Sequence, residues 1–137
     1  MSDTPIVVPL NLTTEVFTRL NTILSDFNGY LGTAPFTAAY PVVTYNMIAS
    51  STVDTVQAAF GDETESFRIQ ISVFDDQEDC VRLIEQQAAI EEALKTGDWG
   101  GCKIRVKRLG SYGPVEIADE RYWQFSKDYE ITLAKEG

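Results

Sequence analysis

A strict alternation of apolar and polar residues in the stretch FRIQISV, residues 67–73, constrains the fold more than any other feature of this sequence. Successive side chains of a β-strand point to opposite faces, so the pattern predicts a strand with one buried and one solvated face. The same alternation occurs in residues 102–107 and 123–133, where Lys127 is the exception on the apolar side. The sequence therefore predicts a sheet with an apolar face that other elements must cover.

Two segments with helical periodicity supply that cover. Residues 13–28 have apolar side chains three and four positions apart, and this helix is predicted to end at Asn28-Gly29. The second segment is DDQEDCVRLIEQQAAIEEALKTG, whose apolar stripe is interrupted by Gln87. We expect Asp75 or Asp76 to accept hydrogen bonds from its first free amides, and Gly97 to end it in the left-handed conformation.

The order of elements is then helix, strand, strand, helix, strand, strand, where the first strand is the β-branched and aromatic stretch 42–48. This order predicts an α+β fold: a mainly antiparallel β-sheet of about four strands with two helices packed on one face. We expect a single domain over residues 1–137. The prolines, glycines and polar stretches of the sequence predict an irregular N-terminal arm at 1–12 and long loops at 49–66 and 109–121.

The charge of the chain excludes some partners. With 21 acidic and 11 basic residues the net charge is -10, which argues against a protein that wraps DNA or lies on an anionic membrane. No apolar run approaches the roughly 18–20 residues of a membrane helix, and the N-terminus lacks the basic start of a signal peptide.

Signals of enzyme chemistry are weak. The chain has no His, so the usual general base and the Ser-His and Cys-His nucleophile systems are absent. The two cysteines, Cys80 and Cys102, are too few for a structural zinc site, and we favour two free buried thiols over a disulfide. No glycine-rich phosphate-binding motif occurs. The sequence therefore predicts a protein that is not an enzyme and needs no cofactor or metal.

One acidic cluster keeps an enzymatic alternative open. Asp75, Asp76, Glu78 and Asp79 lie within five positions of the chain. Carboxylates of this kind can hold Mg²⁺ for phosphoryl transfer, and a metal-dependent enzyme using the three aspartates is the alternative from another functional class. Capping of the following helix explains the same residues more simply, so we favour that interpretation.

The stretch KIRVKR, residues 103–108, gathers four of the 11 basic residues. On a strand Lys103, Arg105 and Lys107 share one face, opposite Cys102, Ile104 and Val106. Consecutive strands usually pair, so we expect Lys103 to face Glu130 and Arg105 to face Asp128 in an antiparallel ladder. A subunit interface is the second interpretation and DNA contact the weakest.

The candidate contact residues for a subunit or partner interface are of three kinds. Bases left unpaired within the chain would meet an acidic neighbour. Trp99 and Tyr112 lie near turns, and such aromatic residues either anchor interfaces or pack locally. The acids in the loop predicted at 49–66 form a solvated tip that can take part in docking. The full set is Arg105, Lys107, Arg108, Trp99, Tyr112, Asp62, Glu63 and Glu65.

The succession of motifs from residue 41 to 133 resembles the tail-completion or tail-terminator proteins of long-tailed bacteriophages. It consists of AYPVVTYNM, a polar loop, SFRIQISVFDD, the helix EDCVRLIEQQAAIEEAL, a basic strand, a second loop and YWQFSKDYEITL. The resemblance implies a structural virion protein that forms a ring, commonly a hexamer, at the head-proximal end of the tail tube. Such a ring ends tube polymerisation and meets the head connector, and DNA passes through its channel. It implies the major tail tube protein and the connector as partners.

Two further structural roles stay open at this point. The same features suit a head-closure or adaptor protein on the head side of the junction. They also suit a tail-assembly chaperone, which leaves the finished particle.

Overall fold

Two helices and five strands form the described part of this computed structural model. The structure describes residues 12–35, 38–52, 64–97, 99, 103–117 and 122–134. The elements are α1 (Leu12–Ser25), β1 (Gly29–Leu31), β2 (Val42–Thr52), β3 (Thr64–Asp75), α2 (Val81–Thr96), β4 (Lys103–Ile117) and β5 (Tyr122–Ala134). Neither described helix is long and apolar enough to cross a membrane.

The five strands form one sheet in the order β1-β2-β3-β5-β4. All neighbours are antiparallel except β1, which runs parallel to β2. Both helices pack on one face, so the predicted α+β fold is confirmed, with five strands instead of about four. The additional strand is β1, a three-residue element that periodicity cannot detect.

The alternation in β3 divides the two faces of the sheet as predicted. Phe67, Ile69, Ile71 and Val73 are fully buried beneath the helices. The stripe of α2 that meets them contains Leu83, Gln87, Ile90 and Leu94, at intervals of four, three and four residues.

Gln87 is a polar residue inside this core. Its amide nitrogen Nε2 donates to the carbonyl of Ile71 at 3.0 Å and to that of Phe125 at 2.7 Å. One side chain therefore connects α2 to two neighbouring strands. Its other polar atom, Oε1, is buried without a hydrogen-bond partner.

The loops predicted at 49–66 and 109–121 are corrected at their ends and in part, because strands occupy both ends of the first and most of the second. Residues 49–52 belong to β2, residues 64–66 to β3, and β4 continues to Ile117. Residues 53–63 and 118–121 lie outside the described part of the chain. At the N-terminus Leu12 already belongs to α1, and the rest of the arm predicted at 1–12 lies outside it as well.

Strand β4 contains residues that usually form turns, and it can contain them because it lies at the edge of the described sheet. The register shifts between Arg108 and Gly110, and again between Tyr112 and Val115. Gly113 has a φ of 95°, which favours glycine, and precedes Pro114. An edge strand tolerates a proline and bulges because only one of its sides must hold a ladder.

The ends of α2 also differ from the prediction. The helix begins at Val81, whose amide donates to Asp79 Oδ1 at 3.1 Å, so neither Asp75 nor Asp76 caps it. At the other end Gly97 is extended, with φ of -68° and ψ of 166°. A Cβ at Gly97 would lie 2.7 Å from both the carbonyl oxygen of Ala93 and Cδ1 of Ile23. Glycine is needed there for the close approach of the two helices.

Candidate interaction surface

Strand β4 forms a long outer edge of the sheet. It contains 15 residues and pairs on one side with β5, and no described strand covers its other side. Such an edge presents unpaired backbone groups that can accept another chain. The first half of the strand carries bases and the second half carries exposed apolar side chains. We call this the β4 edge surface, with members Arg105, Lys107, Leu109, Tyr112 and Val115.

The predicted pairing of β4 with β5 is confirmed, and the predicted register is wrong. Lys103 lies opposite Ala134, and Lys107 takes the place opposite Glu130. The ladder is displaced because both strands are longer than predicted, and their full overlap brings the start of β4 to the end of β5. Arg105 consequently lies opposite Thr132, which carries no charge.

The carboxylate that was expected to face Arg105 has another partner. Asp128 lies opposite Gly110 and is bound by Arg68 from β3, with 3.4 Å between Nη2 and Oδ2. Within the described part of the chain, no ion pair involves Arg105 or Lys107. Both side chains are exposed on the face of the sheet that the helices leave open.

Arg108 differs from the other two bases because it lies on the helix side. Its Nη1 is 3.6 Å from Oε1 of Glu91 on α2, and the same oxygen is 3.9 Å from Nζ of Lys127. Burial lowers the pKa of Lys127, and the charge of Glu91 opposes that effect. Burial also raises the pKa of Tyr129, reinforced by Glu91. Arg108 thus contributes to a cluster that holds α2 on the last two strands, although about half of its side chain stays exposed.

The two aromatic candidates have opposite environments. Trp99 is only 3% exposed, and its Nε1 donates to the carbonyl of Leu94 at 2.9 Å. It packs locally within the chain, which is one of the two alternatives that the sequence left open for it. Tyr112 is 73% exposed on the β4 edge, and its role in an interface stays a prediction.

The acidic candidates do not form a described surface patch. Glu65 belongs to β3 and lies opposite Leu133 of β5, so it is not part of a loop tip. Asp62 and Glu63 lie outside the described residues.

Three of the acids before α2 are engaged in structural contacts, Asp75 and Asp76 with Arg82 and Asp79 with the amide of Val81. Asp75 is fully buried and is bound through both carboxylate oxygens by Arg82. Burial alone would raise the pKa of Asp75, but the hydrogen bonds and charge of Arg82, with the amides of Asp76 and Gln77, hold it below its usual value. Among the described residues, no group of three His, Cys, Asp or Glu side chains is arranged to hold a metal. Cys80 is a free, half-buried thiol, and Cys102 lies outside the described part.

The opposite edge of the sheet also exposes apolar side chains, which sequence reasoning missed. β1 pairs with residues 43–45, and no described strand covers β2 beyond them. Leu31 is 56% exposed and Ile48 is 50% exposed. Ile48 is the extra residue at a bulge between Met47 and Ala49. The sequence held one signal of this bulge, because two consecutive apolar residues at 47 and 48 break the alternation.

A cleft lies on the open face near the start of β2. Its volume is about 330 Å³, and its described lining includes Pro35, Tyr40, Val42, Phe74 and Tyr122. Hydroxyl groups of threonine and tyrosine are its only side-chain polar groups, and no carboxylate or ammonium group is among the described lining residues. The cleft therefore offers a place for apolar side chains and no acid-base pair.

Comparison with known proteins gives a structural match only. No family model matches the chain, and no curated protein is similar to it in sequence. A chain in the solved structure of the virion of a native gene transfer agent particle has the same fold, with 16% sequence identity and a TM-score of 0.58. The alignment covers 96% of this chain and 100% of that chain.

Proposed function

We propose that this chain is a structural component of a phage-like virion, and specifically a tail terminator. In this role it forms a ring that ends polymerisation of the tail tube and joins the tail to the head connector, and DNA passes through the ring. The observation that carries the proposal is the fold shared with a chain of a gene transfer agent virion, end to end in both proteins. The motif resemblance to tail-completion proteins supports the same role.

The shape of the sheet suits a ring subunit. A closed ring requires each copy to present two different surfaces that complement each other. The described sheet has two dissimilar edges, the long β4 edge and the shorter edge formed by β1 and the uncovered part of β2. Both expose apolar side chains, as the contact surfaces of an assembling protein do.

The charge distribution suits the same role. The chain has a net charge of -10, so copies repel one another except where bases are exposed. Arg105 and Lys107 are such bases, and we assign them to contact with an acidic surface of a neighbouring subunit. Acids that face a central channel would repel the DNA backbone and let it slide. The ring would sit at the head-proximal end of the virion tail and needs no cofactor.

Native mass spectrometry and negative-stain electron microscopy of the purified full chain test this proposal. We expect closed rings, commonly hexamers, and we expect the rings to bind one end of tail tubes assembled from the major tail tube protein. A strict monomer at every concentration, also in the presence of tubes, contradicts the proposal.

Localisation separates the tail terminator from a head-closure protein. A terminator is found on isolated tails that lack heads. A head-closure or adaptor protein is found on filled heads that lack tails, and a tail-assembly chaperone is found on neither. Immunogold labelling of separated heads and tails distinguishes the three results.

A further inference from the structure

Exposed apolar side chains concentrate at the two edges of the sheet. Single exposed apolar residues are normal on a protein surface, whereas clusters indicate contact sites. Five of the eight large exposed apolar side chains among the described residues lie on these edges, whereas Tyr40 lines the cleft and Val81 and Ile84 lie on α2. Leu31 and Ile48 belong to the β1–β2 edge, and Leu109, Tyr112 and Val115 belong to the β4 edge.

The two apolar groups also lie at matching positions along the strand direction, which we call their height. Residues that are paired across the ladders form a row of the sheet and share one height. Leu31 at one edge shares a row with Ser111 at the other, and Ser111 is the neighbour of Tyr112. The row runs Leu31, Tyr45, Ile71, Lys127, Ser111.

A second pair of side chains matches in the same way. Ile48 and Leu109 are each the extra residue of a bulge, one in β2 and one in β4. Both bulges adjoin a single row of the sheet, which runs Met47, Ile69, Tyr129, Arg108. Each edge of the sheet therefore carries an apolar bulge residue at nearly the same height.

Matching heights are what cyclic self-association requires. Rotation about an axis that runs along the strands moves a copy sideways without changing its height, so each edge meets the other edge at its own level. Within one copy the described ladders make β4 antiparallel to β2. The same rotation keeps these directions, so β4 of one copy would meet β2 of the next copy in the antiparallel orientation, which is the commoner one. A partner of different sequence would impose no relation between the two edges.

We propose that the β4 edge surface of one copy docks on the β1–β2 edge of the next copy, with Tyr112 near Leu31 and Leu109 near Ile48. This inference rests on the ring proposed above and identifies the two surfaces that close it. The shorter β1–β2 edge limits the contact, and the 11 residues of β2 span about 36 Å. A strip of that length and roughly 15 Å width covers about 540 Å² per partner, about two thirds of the ~800 Å² of a stable contact.

Disulfide trapping in the full chain tests the pairing. The background carries Cys80→Ser and Cys102→Ser, and the test variant adds Leu31→Cys and Tyr112→Cys. After mild oxidation we expect a ladder of covalent multimers that ends at the copy number of the ring.

Two control variants carry the same number of cysteines at positions that the proposed contact does not bring together. Leu31→Cys with Glu116→Cys shifts one partner by four rungs of the β4–β5 ladder from the matched row, or about 13 Å, beyond the ~7 Å Cα separation of a disulfide. Leu31→Cys with Ile84→Cys tests the outer face of α2. Neither control should give a ladder.

The outcomes separate this inference from the proposed function. Rings that form but yield a ladder only in a control pair place the contact elsewhere, which overturns the edge pairing and leaves the ring. A wild-type chain that never assembles contradicts the ring and the pairing together.

If the cysteine variants do not fold, single substitutions in the native chain test the same pairing. Tyr112→Ser should raise the protein concentration for half-assembly by roughly tenfold or more, because buried aromatic anchors dominate interfaces. Ile84→Ser should leave it unchanged. Equal effects of the two substitutions overturn the pairing.

Discussion

Replacement of Gln87 by alanine tests whether the buried amide holds α2 on the sheet. The side chain is fully buried and donates to the carbonyls of Ile71 and Phe125. Two hydrogen bonds contribute about 1 kcal/mol each, and the lost methylene contributes about 1 kcal/mol more. We therefore expect Gln87→Ala to lower the free energy of unfolding by about 3 kcal/mol, with a fall in Tm of about 10 °C.

Urea denaturation followed by far-UV circular dichroism measures this change, with the slope m unchanged if only stability is affected. Gln87→Met keeps the length of the side chain and removes both its donors and the unpartnered Oε1. Because packing is retained, that variant should lose only about 1 kcal/mol.

Gln86→Ala is the matched control, since Gln86 is partly exposed beside the buried site and should change stability by no more than about 0.5 kcal/mol. The reasoning is refuted if Gln87→Ala costs less than about 1 kcal/mol. It is also refuted if Gln87→Met is as destabilising as Gln87→Ala, because the hydrogen bonds and the packing would then not be separable.

Two further predictions concern stability. The pKa of Asp75 is lowered in the folded state, so its ion pair with Arg82 contributes stability that is fully present above about pH 4 and is lost as the pH falls through the folded-state pKa. Urea midpoints measured from about pH 6 down to about pH 2 should fall more steeply for the wild type than for Asp75→Asn, and identical slopes would contradict the assignment. Gly97→Ala places a Cβ 2.7 Å from a backbone carbonyl and should destabilise by about 1–3 kcal/mol, whereas Gly110→Ala meets nothing within 4 Å and should be close to neutral. Equal thermal midpoints for the two alanine variants would show that the helices can separate at no cost.

The faces of the sheet were predictable because they depend on local period alone. The alternation in β3 and β5 specified which side chains point to the helices, and the helical spacing in α2 specified the stripe that meets them. Even the exception was visible, since Lys127 stands on the apolar side of β5. Its partner Glu91 was not predictable, because that pairing depends on how α2 lies across the sheet.

The predicted loop at 109–121 shows where local rules fail. Gly110, Gly113 and Pro114 favour turns by their own conformational preferences. In the folded chain they fit at bulges of an edge strand, where one side of the backbone needs no ladder. Whether β4 is an edge or a central strand depends on the order of all five strands, which no single segment contains.

Trp99 and Tyr112 show the same division for the candidate surface. Both are aromatic residues near turn-forming glycines, so sequence alone could not decide between an anchor and local packing. The tertiary structure buries Trp99 against α2 and leaves Tyr112 exposed at the edge.

The sequence by itself therefore determined the two helices, the central parts of the four long strands, the two faces of the sheet and the concentration of bases on one strand, since each follows from neighbours within a few residues. Only the tertiary structure decided the register of β4 against β5, the two open edges and the matching heights of their apolar side chains. These depend on pairings between residues far apart in the chain, such as Leu31 with Tyr45 and Arg105 with Thr132. The surface proposed to close the ring is a property of the assembled sheet.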